Sequence, residues 1–437
     1  MTEPKRGNGW SPESVRKETM EQTLILNIAQ LLTFPGLDAP RRGRDLSFIG
    51  LIRDAAVLIE KGVIVAAGPK EVILKRTSPE KCRIVDALGR VVLPGFVDAH
   101  AHPVFAAPRL FDFEQRTRGR TYSEIAAGGG GILSTVDLVR RSSAETLTAS
   151  LKRWTQKFLE SGTTTVEAKS GYGLDWENER KILQVLAQAV KEGPLGIIPT
   201  FLGAHAVPPE LREKREVYIR RIIEEMIPQV AEENLARFVD VFCEGGYFSK
   251  EESQKIFEAS QKAGLGLKIH AEQLSRSGGA ALAADFEVSS ADHLDFADDS
   301  DIRALARSKV VACLVPGSNY FLSKPYPPAR KLIDSGAAVA LATDFNPGTC
   351  PCWDMRMILS IACTQMKMKI EEALSASIVN GAWAIGLGKT HGSLQAGKIA
   401  DLVCHEAEDY RELPYYFGQT PVLWTMKKGE IVFRRER

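Results

Sequence analysis

The chain has 437 residues, a net charge of +1, 44% hydrophobic residues and 25% charged residues. The length exceeds one ordinary domain, and the composition is that of a soluble globular protein. Near-neutrality without a long basic block excludes an electrostatic grip on nucleic acid or an anionic membrane.

Residues 1–22 form a polar tail that lacks the apolar core of a signal peptide, and no function is assigned to it. No run of about 18 apolar residues offers a membrane span. The seven cysteines are scattered and expected to be reduced thiols, so a cytoplasmic location is expected. Residues 24–28, 56–68 and 83–93 read as short strands, and 397–404 and 422–433 return to that style with a Gly-containing hairpin. The two ends are therefore expected to build one small β-sandwich domain from 23–90 and 391–437.

Between them, 91–390 alternates strands and helices. Strands are expected at 96–101, 164–168, 197–203, 239–243, 266–270, 287–289, 310–314 and 338–342. Helices are expected at 146–160, 177–191, 213–227, 250–263 and 299–307. Alternation argues for a parallel sheet and an α/β class, and eight repeats for a closed (β/α)8 TIM barrel with chemistry at the C-terminal strand ends. The Gly128-Gly-Gly-Gly131 run lacks the Lys of a P-loop and reads as a mobile loop.

His100-Ala-His102 ends Val91-Val-Leu-Pro-Gly-Phe-Val-Asp-Ala-His100. Residues i and i+2 of a strand share a face, so the two imidazoles form half of a metal site. His205, His270, His293 and Asp344 also stand at or just after the ends of expected strands. One such residue alone is usually a turn cap or a satisfied core histidine; the set is hard to obtain by chance. His100, His102, His270 and Asp344 give N3O ligation suited to zinc, ferrous iron or manganese. Such an ion makes hydroxide available at neutral pH. Asp344 is expected to take the remaining water proton, and His293 to shuttle protons or polarise a carbonyl. Lys169 is followed by Ser-Gly-Tyr-Gly, which suggests a loop role rather than a place in a two-metal site, so one metal is expected. Cys350 and Cys352 read as incidental thiols beside a functional loop.

The run Pro94-Gly-Phe-Val-Asp-Ala-His-Ala-His-Pro103 resembles the opening motif of the amidohydrolase superfamily of barrel metal hydrolases. Val166-Glu-Ala-Lys-Ser-Gly-Tyr-Gly-Leu, Phe201-Leu-Gly-Ala-His-Ala-Val-Pro, Asp240-Val-Phe-Cys-Glu, Ile269-His-Ala-Glu-Gln-Leu and Thr343-Asp-Phe-Asn-Pro-Gly-Thr together resemble the imidazolonepropionase family within it. The resemblance spans roughly 24–434. It implies a cyclic amide hydrolase of histidine degradation that opens 4-imidazolone-5-propanoate to N-formimino-L-glutamate. It further implies one divalent metal per subunit, zinc or iron, and a homodimer without nucleic-acid or membrane partners.

By the same resemblance Arg109 holds the propionate, a task that suits a guanidinium. Tyr122, Tyr172, His205 and Gln273 contact the ring, and Asn346, Gly348 and Thr349 hold the ring or the product carboxylate. A metal-dependent deaminase of a nitrogen heterocycle is the alternative. A neutral nucleobase, however, offers Arg109 no carboxylate. A non-catalytic scaffold is disfavoured because all four ligands are present.

Overall fold

The strands sort into two sheets in the computed structural model, which describes residues 21–36, 38–121, 124–125 and 128–436. The smaller sheet joins both ends of the chain. Its strands are β1 (Gln22–Leu32), β2 (Leu51–Glu60), β3 (Val63–Pro69), β4 (Cys82–Pro94), and, after the barrel, β13 (Leu402–His405), β14 (Val422–Lys427) and β15 (Glu430–Arg434). They run in the order β15-β14-β13-β4-β1-β2-β3. Alternating side chains give the sheet two apolar faces, one around Ile25, Val57 and Trp424 and one around Leu24, Ala56 and Leu58. Lys428 and Gly429, both at positive φ, close the β14–β15 hairpin, a turn whose twist matches that of the flanking strands.

The chain steps from this sheet into the barrel at Gly95. A Cβ there would lie 2.1 Å from a Thr164 methyl, so only glycine permits the step. The barrel strands follow as β5 (Phe96–Ala101), β6 (Thr163–Lys169), β7 (Gly196–Ala204), β8 (Phe238–Cys243), β9 (Gly266–Ala271), β10 (Ser290–His293), β11 (Val311–Leu314) and β12 (Ala338–Leu341). All neighbours are parallel, in sequence order. The ring closes where Asp344 N donates to His100 O (2.9 Å) and His102 N to Phe345 O (2.8 Å). The seam of the barrel is thus made by the backbone of expected metal ligands.

Four of the five expected helices form close to their expected bounds: Ala144–Glu160, Trp176–Glu192, Lys250–Lys262 and Asp299–Arg307. Each starts on a side-chain cap: Ser143, Asp175, Ser249 and Asp298. The stretch expected as one helix at 213–227 is instead Arg215–Arg221, a π-helical turn at Ile222–Met226, and Ile227–Glu232. Pro228 has no N–H to return to the preceding turn, and the wider turn absorbs that loss.

The sixth barrel strand also departs from expectation. It is Ser290–His293, not 287–289. Glu287 is at φ 46° and Val288 N bonds Ala283 O, so those residues close the preceding helix. The true strand reads Ser-Ala-Asp-His because its side chains serve the barrel interior, and apolarity was therefore a misleading guide to it. None of the described helices is long and apolar enough to cross a membrane. All seven cysteines are free thiols.

Candidate metal centre

Five of the seven histidines converge at the C-terminal mouth of the barrel. His100 and His102 come from β5, His205 follows β7, His270 lies in β9 and His293 ends β10. The Nε2 atoms of His100 and His102 are 3.3 Å apart, and Asp344 Oδ1 lies 3.5 and 3.7 Å from them. His100, His270 and His293 form a second convergent group of three ligand atoms. The expected ligands therefore fall into two groups sharing His100, and His293 reaches the same space as the ligands do. His293 (φ 77°) and Asp344 (φ 54°) both hold left-handed backbone conformations, the kind of local strain that structures retain where a side chain must be aimed.

The donor set fits a cation. Among the described residues, His270 Nε2, His102 Nδ1 and both nitrogens of His293 are buried without a hydrogen-bond partner, an arrangement that is costly unless something fills it. Burial holds the imidazoles of His100, His102 and His293 well below their usual pKa, which keeps them neutral and able to ligate. The ring orientations are set from behind. His100 Nδ1 meets Asp292 Oδ2 at 2.6 Å and His270 Nδ1 meets Asp240 Oδ1 at 3.1 Å. Each carboxylate fixes the tautomer that leaves Nε2 facing the centre.

Below these carboxylates lies a fully buried charge network. Lys169 Nζ donates to Asp240 (2.6 Å) and Glu167 (2.8 Å), and Lys268 Nζ to Glu167 (2.8 Å) and Ala99 O (2.7 Å). His100, Glu167 and Asp292 also meet the geometry of a cation site, but the lysine ammoniums neutralise those carboxylates. Lys169 is not the loop residue its sequence suggests. It ends β6 at 0% exposure. Burial disfavours its charge, yet Asp240, Glu167 and Asp292 overcome this and raise its pKa.

The flanking loops aim the remaining groups into a cavity of about 540 Å³ counted out to its mouth. In the Ser170-Gly-Tyr-Gly loop, Glu179 accepts the amides of Gly171 (2.9 Å), Gly173 (2.6 Å) and Leu174 (2.9 Å). Gly171 O in turn meets His205 Nδ1 at 2.9 Å. Tyr172 and His205 line the cavity together, and burial takes His205 down to about 3. Arg109 follows β5 and is 7% exposed, with Nε and Nη1 making no hydrogen bond among the described residues and Asp112 at 3.7 Å. A Cβ on Gly348 would lie 2.0 Å from its guanidinium carbon, so the glycine makes room for Arg109. Asp112 also accepts Gly131 N at 2.9 Å, which ties down the end of the Gly128–Gly131 run.

Asn346 lines the cavity, but its amide is engaged within its own loop. It donates to Asp344 O and Thr349 Oγ1 and accepts from Gly348 N and Thr349 N, all at 2.7–2.9 Å. Gln273 and Thr349 also line the cavity, and Glu244 holds the Gln273 and Leu274 amides. Tyr122 lies outside the described residues. Sequence reasoning missed Asp240, Asp292, Glu167, Lys268, Asp112 and Lys324. The available signal for the strand residues was a polar side chain at an inward position of an otherwise apolar strand.

A histidine-rich centre backed by carboxylates, at the mouth of a (β/α)8 barrel with a second sheet built from both chain ends, defines a metal-dependent hydrolase of the amidohydrolase kind. The chain belongs to the amidohydrolase family, whose model matches residues 91–432, and within it to the imidazolonepropionases, hydrolases of cyclic amide C–N bonds. It is 45% identical to imidazolonepropionase from Solibacter usitatus, across 95% of this chain and 100% of that protein. It is 44% identical to the protein of that name from Clostridium tetani (94% and 98%) and 43% to that from Geobacillus thermodenitrificans (94% and 98%). In fold it is similar to 5-methylcytosine deaminase from Klebsiella pneumoniae (TM-score 0.71, 17% identity, 95% and 99% covered). E. coli guanine deaminase is a further structural relative (0.66, 15%, 95% and 100%).

Proposed function

We propose that the chain opens the ring of 4-imidazolone-5-propanoate to N-formimino-L-glutamate, in histidine degradation. The observation that carries this reading is Arg109, a buried guanidinium with unused donors in the same cavity as the histidine cluster. A small substrate with one carboxylate answers that demand. The names of the relatives support it.

His100, His102, His270 and Asp344 would hold one divalent ion per subunit, zinc or iron. When bound, that ion supplies Lewis acidity for carbonyl polarisation and water ionisation. Arg109 clamps the propionate, Tyr172 and His205 flank the ring, and Gln273, Gly348 and Thr349 border it. His293 faces the ring carbonyl and stabilises the oxygen as negative charge builds there. Asp344 takes a proton from the attacking water and delivers it to the leaving ring nitrogen. The bond between the carbonyl carbon and the ring nitrogen breaks, the nitrogen departs with the proton, and the carbonyl carbon becomes the new carboxylate. Asn346 holds the loop that carries Gly348 and Thr349. The same reading places the enzyme in the cytoplasm as a homodimer.

The test follows the ultraviolet absorbance of fresh 4-imidazolone-5-propanoate with enzyme, with chelator-treated enzyme and without enzyme. Metal-dependent loss of absorbance with formiminoglutamate appearing supports the reading. No acceleration by metal-replete protein, or ammonia release from a nucleobase instead, overturns it.

A further inference from the structure

We propose that Lys324 is the cation that receives the carboxylate created when the ring opens. The assignment rests on the substrate reading above and adds to it a residue selective for product. Among the described residues lining the cavity, Arg109 and Lys324 are the basic side chains besides the histidines. They enter from different elements. Arg109 follows β5, whereas Lys324 follows β11 and the short helix Pro316–Leu322.

The turn that presents Lys324 is held on both sides. Lys324 N donates to Asn319 O at 2.9 Å, and Asn319 Nδ2 donates to Pro325 O at 2.7 Å. Asn319 is itself 1% exposed, and Ser323 turns the chain at φ 54°. The backbone is therefore fixed, while the side chain forms no hydrogen bond or ion pair within 4 Å among the described residues and has only the longer-range charges of Asp295 and Glu244 acting on it. Lys324 follows β11, the hydrogen-bonded neighbour of the strand that His293 ends, whereas Arg109 follows β5, so the two cations enter the cavity from different arcs of the barrel.

The chemistry creates a second anionic group. Water adds at the ring carbonyl carbon and the C–N bond breaks. One water proton goes to the leaving nitrogen, and the other is lost as the new carboxylic acid ionises. The substrate carries one carboxylate and the product two. Arg109 is already engaged by the first. An ion held by His100, His102, His270 and Asp344 would meet one oxygen of the new carboxylate, and Lys324, presented after the strand beside the one that His293 ends, offers a charged donor for the other.

The experiment compares inhibition by N-formimino-L-glutamate, which has two carboxylates, with inhibition by 3-(imidazol-4-yl)propanoate, which has one. Wild type, Lys324→Met, Lys324→Gln and Lys324→Arg are each assayed after their melting temperatures are checked. In the Met and Gln variants the inhibition constant for the dicarboxylate is expected to rise about tenfold. The monocarboxylate should bind as before, and Lys324→Arg should restore most of the loss. Equal weakening of both inhibitors, or of neither, overturns the assignment while wild-type turnover leaves the substrate reading standing. Wild-type protein that neither consumes the imidazolone nor binds its product overturns both.

Discussion

Asp292 Oδ2 sits 2.6 Å from His100 Nδ1, with both side chains at 0% exposure. That contact dictates which imidazole nitrogen faces the centre shared by His102, His270, His293 and Asp344. Asp292 is also 3.4 Å from Lys169 Nζ, so the network that neutralises the barrel floor is continuous with the group that orients a ligand. Asp292→Asn should preserve the fold and lower metal affinity by about 10- to 100-fold. Metal content after graded chelator treatment reads this directly, and unchanged retention would remove Asp292 from the orienting role.

Arg109 presents unused donors and a planar fork. Arg109→Met is expected to lower kcat/KM by at least about tenfold, from the loss of a hydrogen-bonded charge pair worth roughly 1.5–3 kcal/mol. Arg109→Lys should recover little, because an ammonium does not match the two parallel bonds of a carboxylate clamp. Metal content should be unaffected in both. Full activity in the Met variant would show that the carboxylate is bound elsewhere.

Gly348 tests the same clamp from the opposite side. Its missing Cβ is occupied by the Arg109 guanidinium, so Gly348→Ala must displace Arg109 or the loop. The expected result is a raised KM with near-normal metal binding, and little further loss when Gly348→Ala is combined with Arg109→Met. Additive losses in the double variant would show that the glycine acts independently of Arg109.

Legibility in the sequence followed residue chemistry. His100, His102, His270 and Asp344 were readable because each ends or closely follows an apolar strand, and a polar side chain there contrasts with what precedes it. Ser290–His293 was misplaced by three residues because that strand contains its own functional groups and loses the contrast. Asp240 and Asp292 were harder still. They lie 30 and 192 residues from the histidines they orient; pairing of β8 with β9 brings Asp240 to His270, and the curl of the barrel brings Asp292 in β10 to His100 in β5. Lys169 was read from the loop that follows it, whereas its ammonium points back to Glu167 and Asp240. Asn346 illustrates the converse. Its position beside Asp344 is visible in sequence, but the use of its amide within its own loop is not.

Two histidines outside the centre contribute to the acid limb of stability. His405 in β13 is 0% exposed, with no partner for either ring nitrogen among the described residues and Phe96 at 5.9 Å. Burial holds its pKa well below the usual value, and burial lowers that of His391 to about 4. Both pKa values are depressed on folding, so the unfolded chain binds more protons as the pH falls. The stability they contribute is therefore complete above about pH 6.5 and is lost below it, through about pH 4 for His391 and further for His405. Each group changes stability by about 1.4 kcal/mol per pH unit within its window. His405→Leu removes one titration without adding a charge. Between pH 6.5 and 5 it should lose roughly 2 kcal/mol less than wild type, measured by denaturant midpoints at fixed metal loading. Parallel acid losses in the two proteins would mean that His405 is protonated in the fold or solvated on unfolding without net proton uptake.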